Sequence, residues 1–219
     1  MIEQQVLVGP HALGGELIVP RGARGLVLFA HGSGSSRHSP RNRFVAEVLH
    51  ARRLGTLLFD LLSEAESRDG ANVFDIGLLA QRLLQAMAWV RERSDLNGLK
   101  LGLFGASTGA AAALVAAAER PQDVSAVVSR GGRPDLAGPA LTQVRAPTLL
   151  LVGSLDTEVL ALNRDALRQL TCEKRLEVIP RATHLFEEAG TLERVSHSAS
   201  DWLARHLGGS NNNNTHNSR

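Results

Sequence analysis

The chain has 219 residues, of which 43% are hydrophobic, and its 24 basic and 22 acidic side chains give a formal net charge of +2. This length and apolar content are typical of one domain with a single buried core. The balanced charge, without a basic run interleaved with aromatic residues, argues against a nucleic-acid partner. No run reaches the roughly 18 apolar residues that a membrane-spanning helix needs, so we expect no membrane partner either.

The chain ends and the cysteine content predict the compartment and the domain limits. Residues 1–5 have neither the basic nor the apolar segment of an export signal, and the single cysteine, Cys172, cannot form an internal disulfide. We therefore expect a cytoplasmic protein with an inert structural thiol. Residues 208–219 contain no apolar side chain and are predicted to be a disordered tail of the kind that expression vectors add. The single domain is expected to span residues 1–207.

In chain order, the first predicted element is an antiparallel hairpin of residues 5–8 and 16–19. From residue 26 onward, short β-rich runs alternate with amphipathic helical stretches. Further strands are predicted at 26–30, 56–62, 99–104, 126–129, 148–152 and 176–179. Helices are predicted from Pro40, with Ser39 as cap, and at 73–93, 110–118, 160–170 and 192–202. Buried strands separated by helices indicate an α/β fold with a mostly parallel sheet covered on both faces.

One pentapeptide stands between a predicted strand and the alanine-rich helix. Residues 105–109 read Gly-Ala-Ser-Thr-Gly. When a strand turns sharply into a helix at Gly-x-Ser-x-Gly, the serine hydroxyl is lifted clear of the sheet, and the glycines provide room for neighbouring backbone. Ser107 is therefore the predicted nucleophile; the alternative is a serine that only forms a tight turn.

Two later loops can supply the partners that such a serine needs. Asp156 follows the strand at 148–152, and His184 follows the strand at 176–179. An imidazole must take the proton of the serine, and a carboxylate must fix the tautomer of the imidazole. Because functional groups collect at the carboxyl ends of parallel strands, Ser107, Asp156 and His184 are predicted to form a triad. Alternatively, Asp156 only caps the helix that follows it, and another loop provides the acid.

The loop after the strand at 26–30 is predicted to complete the site. Residues 31–34 read His-Gly-Ser-Gly. A negative tetrahedral intermediate would accept hydrogen bonds from the backbone N–H groups of Thr108 and of a residue in this loop. Ser33 is the first choice because glycines flank it, and Gly34 is the alternative. His31 is expected to be a structural hydrogen-bonding residue.

On these motifs the chain resembles the α/β-hydrolase superfamily and, within it, the small proteins related to dienelactone hydrolase. The resemblance covers residues 1–207 and implies an eight-stranded sheet and ester hydrolysis without cofactor or metal. Dienelactone hydrolase proper has cysteine at the elbow, where this chain has Ser107. The resemblance therefore implies acyl-transfer chemistry but not the dienelactone substrate.

Substrate contacts are expected from arginines near the strand ends. Fewer than twenty residues separate the strands at 126–129 and 148–152, where many relatives insert a helical lid, so we expect no lid and an open site for short esters or lactones. Arg130 and Arg37 could bind a substrate carboxylate or phosphate. Alternatively, the arginines pair with the acidic residues Glu64, Glu66, Asp69 and Asp75.

The expected function is therefore hydrolysis of carboxylic esters through an acyl-enzyme intermediate. Two alternatives remain: an acyltransferase that uses the same three residues, and a ligand-binding module without turnover. The expected partner is a small-molecule ester. A homodimer could form through the exposed edge strand of the opening hairpin.

Overall fold

A computed structural model describes residues 1–208, so the predicted tail lies outside the described residues except for Gly208. Eight strands form one sheet in the order β1-β2-β4-β3-β5-β6-β7-β8. They are Ile2–Val8 (β1), Leu13–Val19 (β2), Gly25–Ala30 (β3), Leu54–Phe59 (β4), Lys100–Ala106 (β5), Val124–Arg130 (β6), Thr148–Gly153 (β7) and Lys174–Ile179 (β8).

Seven α-helices connect or follow these strands in the described residues. They are Pro40–Ala51 (α1), Glu64–Ser67 (α2), Gly70–Phe74 (α3), Ile76–Glu92 (α4), Thr108–Glu119 (α5), Thr157–Gln169 (α6) and Thr191–Leu207 (α7). Two 3₁₀ segments, Ser94–Leu96 and Pro134–Gln143, complete the structure. The second was not predicted, because a segment with Pro139 inside it has no helical periodicity.

The sheet is mostly parallel, as predicted. β1, β2 and β4 pair antiparallel, and every pair from β4 to β8 is parallel. Strands β3, β4 and β7 are buried along their whole length because helices cover both faces. One apolar cluster lies under α4, α5 and α6, and the other lies under α1 and α7. The carboxyl ends of β3 to β8 therefore meet at one edge.

The largest difference from the predicted elements follows β4. This strand ends at Phe59 rather than at residue 62, and the carboxylate of the next residue, Asp60, accepts hydrogen bonds from Arg37. Residues 60–75, called the cover segment below, contain the short helices α2 and α3. A capping box between Ser63 and Glu66 begins α2, and Asp75 caps α4 at residue 76 instead of 73. Capping contacts determine where the helices of this segment begin. Such contacts leave no periodic pattern of apolar residues in the sequence.

Three features lie at the periphery of the domain. β1 is an edge strand, and Leu7 on it is exposed; its pairing with a second copy stays a prediction. None of the helices within residues 1–208 has the length and apolar character needed to cross a bilayer. Cys172 is half-buried, and burial raises the pKa of its thiol, which favours the unreactive protonated form.

Candidate active site

Ser107 occupies a strained turn between β5 and α5. Its backbone has φ 51° and ψ −123°, a region that side chains with a Cβ rarely adopt. The turn is tight because α5 packs directly against β3: a Cβ on Gly109 would lie 2.1 Å from the Ala30 carbonyl oxygen. The pentapeptide therefore has the geometry in which the serine side chain projects from the end of the sheet.

His184 and Asp156 are joined across two loops. His184 Nδ1 lies 2.6 Å from Asp156 Oδ2. An ionised carboxylate can only accept, so Nδ1–H donates and Nε2 is left as an acceptor. Asp156 is at the N-cap position of α6, but its side chain makes no capping hydrogen bond. The Asp156 carboxylate therefore bonds His184 and does not cap the helix, which was the alternative interpretation.

The loop after β6 connects Ser107 with His184. The Ser107 N–H points to the Arg130 carbonyl at 3.4 Å, and the Arg133 N–H donates to the Ser107 carbonyl at 3.1 Å. Gly131 lies against the imidazole: a Cβ there would be 3.6 Å from His184 Cε1. Within residues 1–208, neither Ser107 Oγ nor His184 Nε2 is hydrogen-bonded, so the structure joins His184 to Asp156 but does not form the contact between the serine hydroxyl and the imidazole.

The loop after β3 passes directly beside the serine. A Cβ on Gly32 would lie 2.9 Å from the Ser107 Cβ. The N–H groups of Ser33 and Gly34 donate to no acceptor in the described part of the chain, so both remain candidate donors. Thr108 is the first residue of α5, where backbone N–H groups have no partner inside the helix.

His31 has the structural role expected of it. Its Nε2 accepts a hydrogen bond from the Leu61 N–H at 3.1 Å, so Nδ1–H donates to the Gly32 carbonyl at 3.0 Å. Burial lowers the pKa of this imidazole, which keeps it neutral. The neutral ring thus joins the loop after β3 to the cover segment.

The two predicted substrate arginines lie near the site in different surroundings. Arg37 pairs with Asp60, which also accepts the Arg37 N–H at 2.8 Å. Arg130 is 7% exposed and donates to Asn42 Oδ1 at 3.1 Å; burial, with Arg41 nearby, lowers its pKa to about 10. Its burial leaves little of the guanidinium for a substrate to contact.

The four acidic residues considered as partners bind elsewhere. Glu64 pairs with Arg68, and Glu66 pairs with Arg82. Asp69 and Asp75 cap α3 and α4. The partner of Arg37, Asp60, was not predicted from the sequence. Its position directly after a parallel strand is the same signal by which Asp156 was predicted.

A cavity of about 460 Å³ opens beside the serine, a size typical of small-molecule sites. It lies between the loop after β3 and the cover segment. Its lining consists of residues 31–37, Asp60, Leu62, Glu64, Ser67, Val73, Leu79 and Thr108. The loop after β6 carries no lid domain, as predicted, but the cover segment gives the site one closed side.

Asn163 was also missed by sequence reasoning. It is fully buried on α6, the helix after Asp156, and its Nδ2 donates to the Gly132 carbonyl at 2.9 Å and to the Val159 carbonyl at 2.8 Å. Gly132 directly precedes Arg133, whose N–H bonds the Ser107 carbonyl. The Asn163 side chain therefore connects α6, the helix after Asp156, to the loop that holds Ser107. A single asparagine within a helix gives no such signal in the sequence.

Comparison with known proteins agrees with this architecture. The profile of the dienelactone hydrolase family matches residues 69–207. The crystal structure of a dienelactone hydrolase from Anabaena variabilis is 57% identical and superposes with a TM-score of 0.90, covering 94% of this chain and 98% of that one. A serine hydrolase without a lid from Xanthomonas campestris, 21% identical, has a TM-score of 0.75 over 95% of this chain and 96% of its own. The latter similarity supports the fold alone.

Two curated Mycobacterium tuberculosis proteins are 58% identical over 207 residues and carry the provisional name phosphoribosyl transferase. This alignment covers 94% of the chain but 47% of each relative, so the chain spans about half their length. Their name therefore describes longer proteins. The family profile and the Anabaena structure cover the elbow, both partner loops and the sheet, and they show that this chain has the α/β-hydrolase fold and belongs to the dienelactone hydrolase family.

Proposed function

We propose that the protein is a serine hydrolase that cleaves carboxylic esters, with Ser107 as nucleophile, His184 as general base and acid, and Asp156 as the group that orients His184. The observation that carries the proposal is the 2.6 Å contact between His184 Nδ1 and Asp156 Oδ2, made by two separate loops beside a strained serine. In the neutral imidazole, this contact places the proton on Nδ1 and makes Nε2 the nitrogen that can take a proton.

In the first half of the reaction, Ser107 Oγ attacks the acyl carbon while its proton moves to His184 Nε2. The oxyanion accepts hydrogen bonds from the N–H groups of Thr108 and Ser33, with Gly34 as the alternative donor. The bond between the acyl carbon and the alcohol oxygen then breaks, and His184 returns the proton to that oxygen. The products of this half are an acyl-enzyme and a free alcohol.

In the second half, water gives a proton to His184 Nε2 and attacks the acyl carbon. The new tetrahedral intermediate releases the acid, and Ser107 Oγ regains its proton from the imidazole. Asp156 stabilises the imidazolium in both halves without taking the proton itself.

The test combines labelling with turnover. A fluorophosphonate should label the wild-type protein, and Ser107→Ala should lose both the label and the hydrolysis of p-nitrophenyl acetate by about ten-thousandfold or more. Ser125→Ala, on β6 away from the site, is the matched control and should keep both. Full activity in Ser107→Ala would rule out the proposal.

The acyltransferase alternative has the same acyl-enzyme. Added alcohols or thiols would then compete with water, and the ratio of new ester to free acid measures this directly. A ligand-binding module would give labelling without turnover.

We also propose a small-molecule ester as the partner and the cytoplasm as the working compartment, the latter on the basis of the single Cys172. Expression of the fluorescently tagged full chain followed by fractionation tests the compartment. A homodimer through β1 is proposed on the basis of its free sheet edge, and light scattering tests it.

A further inference from the structure

The cavity next to Thr108 is lined only by residues from the first half of the chain. All of them come from Thr108 or earlier, and His184 and Asp156 are not part of the lining. In the proposed reaction, the carbonyl oxygen points to the backbone donors and the alcohol oxygen must reach His184 Nε2. The third substituent of the acyl carbon, the acyl group, is the part of the ester that remains to occupy the cavity.

The charges on the cavity wall already have partners. Arg37 pairs with Asp60, and Glu64 pairs with Arg68 outside the cavity. A charged acyl group would find no uncompensated opposite charge, and it would have to leave water. The wall therefore favours a neutral occupant over the anionic one expected from the arginines.

The same wall offers hydroxyl groups for hydrogen bonding. Ser33 and Ser35 are exposed, and their hydroxyls have no partner in the described residues, so water can reach them. A ligand that covers these hydroxyls must offer donors or acceptors in place of water, because purely apolar atoms would leave them unsatisfied.

The loops of Asp156 and His184 each carry an exposed leucine. Leu155 and Leu185, which neighbour Asp156 and His184 in sequence, are 59% and 40% exposed. Such leucines are removed from water only when an apolar group covers them. The alcohol half of an ester, which must lie next to the imidazole, would be that group.

We infer that the preferred substrates are esters of a neutral, hydroxylated carboxylic acid with an apolar alcohol, with the hydroxylated acyl group bound between the loop after β3 and the cover segment. This inference rests on the proposed function, because the positions of the two ester halves follow from the roles of His184 and the backbone donors. Leu62, Val73 and Leu79 provide the apolar surface for the ring or chain that carries the hydroxyls.

The test uses three esters. They are the butyl ester of a trihydroxycyclohexanecarboxylic acid, the butyl ester of unsubstituted cyclohexanecarboxylic acid, and the monobutyrate of inositol, in which the polar and apolar halves are exchanged. We expect kcat/KM for the first to exceed that for each of the others by about tenfold, the factor that one net hydrogen bond provides. Equal values, or a preference for the inositol ester, would overturn the inference.

A variant connects the preference to the cavity. Ser35→Ala removes the hydroxyl and adds no bulk, so the preference for the hydroxylated acyl group should fall by about threefold or more. Ser125→Ala is the matched control and should keep the wild-type ratio. A ratio that is unchanged in Ser35→Ala would contradict the role of the cavity wall.

Failure of this inference can be distinguished from failure of the proposed function. If p-nitrophenyl acetate is hydrolysed and Ser107→Ala abolishes that hydrolysis, the proposed function holds, and the three esters then decide the substrate class. If no turnover depends on Ser107, the proposed function itself fails.

Discussion

Two regions on the same edge of the sheet are built in different ways. The elbow at residues 105–109 is fixed by backbone contact, since a Cβ on Gly109 would overlap the Ala30 carbonyl. The cover segment, residues 60–75, has no such contact: a Cβ on Gly70 would meet nothing within 4 Å. Glu66 holds this segment instead, through its capping box and its ion pair with Arg82.

The comparison indicates where the protein tolerates change. Backbone cannot move away from an added atom without shifting a whole strand or helix, whereas polar side-chain contacts can be replaced singly. We therefore expect substitutions at the elbow to affect the whole fold and substitutions in the cover segment to affect mainly substrate binding. Four matched experiments test this difference.

The largest effect is expected for a pair of glycine substitutions. Gly109→Ala forces a methyl group to 2.1 Å from a backbone oxygen and should lower the free energy of unfolding by about 3 kcal/mol or more, or prevent folding. Gly70→Ala, at an open position in α3, should leave stability within about 0.5 kcal/mol or raise it slightly. Chemical denaturation measures both; similar losses would contradict the comparison.

A pair of asparagine substitutions should give the next largest difference. Asn163→Leu removes one buried and one partly buried hydrogen bond and should lower stability by about 2 kcal/mol, and it should reduce kcat because the loop before Arg133 no longer holds Ser107. Asn72→Leu in α3 removes one bond, to the Glu66 carbonyl, from a partly exposed site and should mainly raise KM. A fall in stability with unchanged kcat in Asn163→Leu would limit its role to folding.

A smaller effect is expected for the ion pair that anchors the cover segment. The Arg82 side chain is 6% exposed and lies 2.6 Å from Glu66, so Arg82→Met should cost about 1 kcal/mol and raise KM for large acyl groups. Arg68→Met removes an exposed ion pair with Glu64 and should change neither quantity measurably. Equal effects of both variants would show that burial does not determine the strength of this contact.

The smallest effect concerns pH. Burial places the pKa of His31 below 6.5, so the unfolded chain takes up this proton more readily than the folded protein. The stabilisation from His31 is complete above about pH 6.5 and decreases as the pH falls through that value toward the lower pKa of the folded state. His31→Gln should therefore flatten the dependence of the free energy of unfolding on pH between about pH 7 and 5.

The exposed His11 offers the matched control for this last prediction. His11→Gln, in the turn after β1, should retain the wild-type slope. His50 and His206 also have pKa values lowered by burial, so part of the slope should persist in His31→Gln. A slope equal to the wild type in His31→Gln would disprove the role assigned to its burial.

Much of the fold could be predicted because its signals are local. Apolar runs marked the strands, periodic apolar residues marked α1, α4 and α7, and Gly-x-Ser-x-Gly marked the elbow. The contact of His184 with Asp156 could be anticipated because the ends of parallel strands meet at one edge whatever the details of packing. For the strands and helices, the pattern and the structure share one cause, the burial of a continuous apolar face.

The sequence by itself therefore determined the parallel sheet and the order of the loops that carry functional side chains. It also determined Ser107, Asp156 and His184 as the candidate catalytic residues. Only the tertiary structure decided the partners of the arginines, the anchoring role of Asn163 and the shape of the cavity under the cover segment. The reason is physical: apolar periodicity repeats along the chain and can be read from it. A hydrogen bond or ion pair instead depends on which distant groups packing brings within about 3 Å of each other.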